Sequence, residues 1–444
     1  MNLVKKSFIF TLIIISIFLL SYTFYKSEIY WVGLKRGYYL LYYIISISLI
    51  LFSITLLFIS EKIKSYAITI FLSFVMSIYL FEAYLISNVK EKNELNKKIK
   101  IYKELTGNNF DTRTPMEIFK DLSVIETNIS LAIPPIFFLN KKNKLFPLSR
   151  LSNSKTILAN ENGYYSIYLS DRYGFNNPDH EWSENEIEYL LVGDSFAHGS
   201  SVNRPNDIAS VLRILSKKSV LNLGYMGNGP LLEYSTLREY LKPNVKNILW
   251  LFYEGNDIGN INDELKSKIL KKYLTDLKFT QNLKHKQKQI NKIVKKIIIE
   301  EKHEKNFKEQ KKKINYISFI RIEKFRAILN NVLPNKLKYK EKIKPEFKKI
   351  ISLANDLAKK NGSNFYFVYI PEYIRYKINY KNETYGYIKQ IVLDLNIPFI
   401  DIDEKVFAKE SNPLKLFPFE MYGHYNIEGY SKTAKAIHEF VSTN

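Results

Sequence analysis

Three apolar runs open the chain, at residues 8–25, 38–60 and 66–87. Each is close to the ~20 residues that cross a bilayer as a helix, and the first two carry no charge until their ends. They read as transmembrane helices. The first follows Lys5 and Lys6 but lacks a small-residue cleavage pattern, and two more runs come after it, so it reads as an uncleaved anchor rather than a signal peptide. Lys5, Lys6, Lys62 and Lys64 favour a cytoplasmic N-terminus, whereas Lys26, Lys35 and Arg36 in the first loop oppose it. Three spans put the two ends on opposite sides, and the large C-terminal part is expected outside the cytoplasm, in a periplasmic setting. Glu82 lies about a turn from the end of the third run, where an ionisable side chain either reaches the interface or marks a partner site. Residues 1–88 are therefore expected to be a multi-pass membrane anchor, with the lipid bilayer as a partner.

The remaining length allows one or two further domains. No cysteine is present among the 444 residues, which excludes disulfides, thiol catalysis and cysteine-ligated zinc. The net charge of +22 is concentrated: residues 261–345 hold 25 Lys and Arg against 9 Asp and Glu, or +16 of the total. This stretch also spaces Ile290, Ile293, Val294, Ile297 and Ile298 as amphipathic helices do. It reads as a Lys-rich helical insertion, either a solvated hairpin serving as lid or oligomer contact, or a surface for acidic lipid headgroups or anionic glycan. No nucleic-acid-binding module is recognisable, and no nucleic-acid partner is expected.

Residues 89–160 read as a stalk and linker: a charged helix over 89–102, then a mixed stretch broken by Pro134-Pro135. Residues 163–177, GYYSIYLSDRYGFNN, alternate aromatic and polar residues like a strand or hairpin. Beyond them short apolar runs at 189–192, 219–223, 247–253, 364–370 and 398–402 alternate with helical patterns at 207–216, 231–241, 346–360, 384–395 and 427–441. That rhythm implies parallel crossovers. The expected fold of 161–444 is α/β, a three-layer α/β/α sandwich with a parallel five-stranded sheet, interrupted by the insertion at 261–345.

Ligands in such sheets bind beyond the carboxyl ends of the strands. Gly193-Asp194-Ser195 ends the first strand, Asn222 to Gly229 follows the second, and Glu254-Gly255-Asn256-Asp257 follows the third. Gly423-His424 precedes the last helix and returns to the same edge. Gly-Asp-Ser alone is also an ordinary helix cap. Three polar or glycine-rich loops and a late histidine on one rim favour a catalytic constellation. Asp194 and Asp257 read as residues that fix their loops, His198 as lying along the rim or in packing, and His180, His285, His303 and His438 as exposed or structural. No metal is expected, because no His-x-x-x-His or carboxylate cluster has ligand spacing, and no cofactor is implied.

At these residues the chain resembles the SGNH, or GDSL-type, hydrolase family: Gly193-Asp194-Ser195, Gly227, Gly255-Asn256-Asp257 and His424 match its four blocks in order. The three spans and Arg172-Tyr173-Gly174-Phe175 resemble its membrane-anchored branch, some of whose members modify envelope polysaccharides with acyl groups. The resemblance implies Ser195 as nucleophile, His424 as base, and the Ser195 N–H, Gly227 N–H and Asn256 amide as oxyanion hole. It further implies an ester hydrolase or O-acyltransferase working through an acyl-Ser195 intermediate on an acylated envelope glycan or lipid, a transferase needing a separate membrane partner to supply the acyl group. One position departs from the pattern, since Met421 stands where the family has the Asp that orients the histidine. Glu420, if the loop bulges, replaces it; otherwise Asp401 or Asp403 does, or a backbone carbonyl. The remaining alternative is a weakened site in an anchored glycan-binding or assembly factor.

Overall fold

The computed structural model describes residues 3–30, 36–87, 90–139, 144–310, 316–332, 343–377, 382 and 384–443. Lys35, Val89 and parts of the insertion fall outside them. The chain forms two compact units, Met1–Glu94 with Lys311–Lys342, and Leu95–Gln310 with Ile343–Asn444.

In the first unit, Leu3–Tyr30, Arg36–Phe58 and Glu61–Ser87 are each long and apolar enough to cross a membrane, with mean hydropathy of 2.2, 2.4 and 1.8. Their side chains are arranged inside out. Phe10, Ile14, Leu51 and Ile70 point outward, whereas Ser16, Ser46 and Ser53 are buried between helices. Each of these serines donates its hydroxyl to the carbonyl four residues back, at Leu12, Tyr42 and Leu49. Small side chains at helix contacts and apolar ones outside suit helices solvated by lipid, where hydrocarbon exposure costs nothing and close packing is the gain. Two helices of the basic stretch, Tyr316–Ile320 and Glu323–Val332, belong to this unit.

The second unit holds two sheets. The smaller comprises β1 (Ile129–Leu131), β2 (Lys155–Ile157) and β3 (Ile167–Leu169), with β1 parallel and β3 antiparallel to β2. The larger comprises β4 (Ile187–Gly193), β5 (Val220–Asn222), β6 (Val245–Tyr253), β7 (Asn364–Ile370) and β8 (Phe399–Asp401), all parallel, in the order β5-β4-β6-β7-β8. Strand alternation divides its side chains between two cores. Leu190, Val192, Trp250, Phe252 and Phe367 pack against the helices Pro230–Tyr240 and Pro345–Lys360. Tyr189, Leu191, Leu249, Leu251 and Val368 pack against Ile208–Ser216 and Ile427–Thr443. The molecule therefore contains the α/β/α sandwich with a five-stranded parallel sheet.

Two segments differ from expectation. The compact unit begins at Leu95, so most of the stretch read as stalk and linker is folded into it. The expected insertion is also split: Ile261, Leu270, Tyr273, Ile290, Val294, Ile297 and Ile298 are buried in the core on one face of the sheet, with Lys288, Lys292, Lys295 and Lys296 turned to solvent. The Ile/Val stripe is core, which is why its lysines fall on the opposite side.

Glu233, on the helix Pro230–Tyr240, is fully buried, and neither of its carboxylate oxygens has a hydrogen-bond partner among the described residues. Burial, then the neighbouring carboxylates Asp257, Asp194 and Glu264, push its pKa well above the ordinary value. An acid held up in the folded state loses stability as pH rises from its unfolded value of about 4.3 upward. Glu233→Leu is accordingly expected to stabilise the fold by about 1–3 kcal/mol. In denaturant melts the gain should be larger at about pH 8 than at about pH 5.

Candidate active site

At the end of β4 the apolar run stops and Asp194 caps the short helix Ser195–His198, its Oδ1 accepting the Phe196 N–H at 2.9 Å. Two amides hold the far end of that helix. Asn222 Nδ2 donates to the Ala197 carbonyl at 2.6 Å, and Asn176 Nδ2 to that of His198 at 3.0 Å. Ser195 is thereby fixed at the carboxyl end of the sheet. His424 comes from the loop before the last helix, with its ring against Phe196 at 4.8 Å between centroids. Its Nε2 lies 2.7 Å from Ser195 Oγ, closer than the 3.2 Å from that hydroxyl to Asp194 Oδ2.

The carboxylate behind His424 is Glu161. His424 Nδ1 lies 3.0 and 3.1 Å from its two oxygens, and the His424 backbone N–H donates to Oε2 at 2.6 Å. An ionised carboxylate only accepts, so Nδ1 carries the hydrogen and Nε2 is left to accept from the Ser195 hydroxyl. Burial opposes ionisation of Glu161, but the His424 charge and hydrogen bonds outweigh it and hold the acid at about 2. Burial likewise lowers His424, but the charge and hydrogen bond of Glu161, with help from Asp194, carry its pKa above the ordinary imidazole value.

Glu161 sits at the tip of the β2–β3 hairpin, which Leu158 and Ser166 extend through paired backbone bonds. The tip is tied down on several sides: Asn160 Nδ2 donates to the Asp111 carbonyl, Asp111 N–H to the Gly163 carbonyl, and Asn162 Nδ2 to the Ser201 carbonyl. Gly423 admits the carboxylate, because a Cβ there would lie 2.8 Å from Glu161 Oε2.

Glu420, expected as the orienting acid, is not beside His424. Phe419 and Glu420 both take positive φ, 54° and 55°, so the loop does bulge. The bulge turns the Glu420 side chain outward, where it is exposed and accepts from Asn412 Nδ2 at 3.1 Å. Asp401 caps its own turn and accepts from Tyr385, while Asp403 pairs with Arg375 and Tyr376. Nothing in the composition of Asn160-Glu161-Asn162-Gly163 sets it apart from an ordinary hairpin turn, and 263 residues separate its acid from His424.

The residues expected to form an oxyanion hole stand on the adjoining loops. Gly227 adopts φ +76°, a conformation glycine enters without penalty, and Asn256 occupies the N-cap of the helix Asp257–Glu264. Asp257 Oδ2 accepts the Tyr253 N–H at 2.7 Å and so closes the β6 turn. The loop leading to Gly227 rests on His198, which is fully buried rather than on the rim. His198 Nδ1 accepts the Met226 N–H at 3.2 Å, Nε2 meets the Tyr168 hydroxyl at 2.9 Å, and the ring stacks on Tyr225 at 4.4 Å. The opposite partner of Tyr225 is the Arg150 guanidinium, 4.4 Å from its ring centroid. Burial, then the positive charges of Arg150 and His424, press the His198 pKa down to about 3, so its ring stays neutral and Nδ1 remains an acceptor. Of the other histidines, His180 is exposed, His285 is exposed, and His438 Nδ1 meets the Tyr189 hydroxyl at 2.9 Å; the His303 side chain lies outside the described residues.

No family model and no curated protein matches the sequence. Among solved structures, the chain is similar to a protein from Desulfitobacterium hafniense DCB-2 assigned to the G-D-S-L lipolytic family, at 14% identity and a TM-score of 0.32, over 57% of this chain and 99% of that one.

Followed by NMR on the full chain in nanodiscs, the His424 ring should ionise above its ordinary value of about 6.5. In Glu161→Gln the larger raising charge is gone, only the smaller pull of Asp194 remains against burial, and the titration should move below that value.

Proposed function

We propose that this chain is a membrane-anchored serine ester hydrolase or O-acyltransferase of the SGNH type. The observation that carries this reading is the continuous hydrogen-bonded line Ser195–His424–Glu161, built from three separate parts of the sequence at the carboxyl edge of the sheet. In it, Ser195 Oγ attacks an ester carbonyl while His424 Nε2 takes the hydroxyl proton. Glu161 holds the ring in the required tautomer and stabilises the imidazolium as it forms. The Ser195 N–H, the Gly227 N–H and the Asn256 amide receive the developing oxyanion, each such donor being worth about 10²–10³ in rate. His424 then returns the proton to the departing alcohol, leaving an acyl-Ser195 ester. Water or a sugar hydroxyl, deprotonated by the same imidazole, resolves that ester, giving hydrolysis or transfer.

The inverted pattern of the three apolar helices supports a bilayer anchor, and with three spans the Ser195 unit is taken to lie outside the cytoplasm, facing acylated envelope glycan or lipid. A transferase of this kind requires a membrane partner to deliver its acyl group. Glu161 beside the His424 ring favours the enzyme over a weakened glycan-binding or assembly factor, the alternative that Met421 in place of the acid would suit.

A fluorophosphonate probe should label the wild-type chain but neither Ser195→Ala nor heat-denatured protein; failure to label a folded wild type overturns the serine-enzyme reading. With an activated acetyl ester, Glu161→Gln should lower kcat/KM by roughly 10²–10⁴-fold. His424 acts as base only when neutral, so the wild-type acid limb should lie above about pH 6.5 and move down in that variant. Acetyl content of surface polysaccharide after gene deletion separates the outcomes, an increase pointing to an esterase and a decrease to a transferase.

A further inference from the structure

The helices Tyr316–Ile320 and Glu323–Val332 are fastened to the apolar helices of their unit by specific contacts. Glu82, fully buried on Glu61–Ser87, accepts the backbone N–H groups of Lys324 at 2.9 Å and Phe325 at 2.7 Å. It thus satisfies two of the orphan donors at the start of Glu323–Val332, with carboxyl oxygens set at the positive end of that helix. One turn on, Arg326 donates Nε to the Tyr42 hydroxyl at 2.8 Å and Nη2 to that of Tyr38 at 3.2 Å. The Tyr79 hydroxyl donates to the Ile320 carbonyl at 3.0 Å, and its ring lies 5.4 Å from Phe319. Phe81 meets Phe325 edge-on at 6.0 Å.

These attachment points share one end of the anchor: Tyr38 and Tyr42 lie near the start of Arg36–Phe58, and Tyr79 and Glu82 near the finish of Glu61–Ser87. Glu82 stands five residues before Ser87, roughly 7.5 Å along the axis at ~1.5 Å per residue, the depth at which headgroups and acyl chains meet. Tyrosine gathered at this level suits that boundary. The outward side of 318–329 is itself mixed, with Ile320 65% and Ile328 40% exposed beside exposed Arg321 and Lys324 and the exposed Glu323 that lies 3.9 Å from Arg321. Apolar groups flanked by cations match a surface of anionic phospholipid.

We infer that residues 316–332 are an interfacial membrane element, docked on the second and third apolar helices through Glu82 and binding anionic phospholipid headgroups. This rests on reading those helices as transmembrane. The Ser195 unit is then joined to membrane-bound structure at three points of the chain, at 94–95, 310–311 and 342–343, rather than at one.

The chain contains no cysteine, so single-cysteine variants need no prior substitution. Full-length Ile320→Cys, Ile328→Cys, Leu51→Cys and Lys268→Cys, each bearing a nitroxide, would be reconstituted in phosphatidylcholine vesicles with and without phosphatidylglycerol. Oxygen and nickel-chelate accessibilities then report immersion. Position 51 should read as deep lipid and 268 as water. Positions 320 and 328 should lie between them, with a severalfold higher oxygen-to-nickel ratio than 268 and a further rise when phosphatidylglycerol is present. If 320 and 328 match 268 while 51 stays in lipid, the inference is overturned and the anchor stands; if 51 also reads as water, both fall. In Glu82→Leu, positions 320 and 328 should shift toward the value at 268 with 51 unchanged, and absence of that shift overturns the docking.

Discussion

The contact on which the candidate site depends is the pairing of Glu161 with His424. An imidazole beside a serine has two tautomers and a free rotation, and only one arrangement accepts the hydroxyl proton. Glu161 selects it twice over, through Nδ1 and through the backbone N–H of the same residue. Much of the surrounding structure serves that placement. The β2–β3 hairpin carries the carboxylate, Gly423 leaves room for it, and the amides of Asn160 and Asn162 keep the tip from swinging away. A partly buried acid would ordinarily resist ionisation; here the facing imidazole reverses the balance, and each group raises the charged population of the other.

The cationic stretch shows how one composition takes two environments. Along residues 287–300 the Ile/Val stripe is core and the lysines point to water, an amphipathic stretch on the sheet sandwich. From Tyr316 the chain returns to the apolar helices, where aromatic and tyrosine contacts replace the aliphatic stripe. The change in partner follows the change in side chains, since Leu/Ile/Val faces bury against a protein core while Tyr, Phe and Arg suit a boundary that is apolar on one side and polar on the other.

What was legible in the sequence had a period or a fixed local spacing. Apolar runs of bilayer length, the strand–helix rhythm and the loop residues after β4, β5 and β6 all belong to this class, and each recurs in the structure within a few residues. Ser195 and Asn256 fall at helix starts, and Gly227 and His424 in the loops just before helices, which pattern locates. Glu161 does not. Its position is set by a hairpin whose tip crosses to the far end of the chain, and a turn reading Asn-Glu-Asn-Gly carries no mark of that crossing. The nearest sequence clue is indirect: Gly423, immediately before the histidine, is a place where something must approach closely. For His198 the sequence left rim and packing both open for a related reason, because its partners come from two distant places, Tyr168 on β3 and Tyr225-Met226 in the loop after β5.

Beneath the loops that follow β4, β5 and β6 the structure keeps acids where a packed core would prefer carbon. Glu264 accepts the N–H groups of Gly229 and Leu231 and so serves as a remote cap for the helix Pro230–Tyr240, its pKa pushed up to about 7 by burial against the lowering pull of those bonds. Asp257 and Asp194 each close a turn that presents a candidate site residue, and both are held above the ordinary carboxylate range, first of all by burial. Glu233 lies among them without hydrogen bonds of its own. Three of these four carboxyls fix the backbone of loops that bear Ser195, Gly227 or Asn256, and the repulsion among them is the cost of drawing those loops together on one edge. Destabilising groups concentrated directly under a rim of converging loops are what a functional site produces when its geometry is kept at the expense of the core.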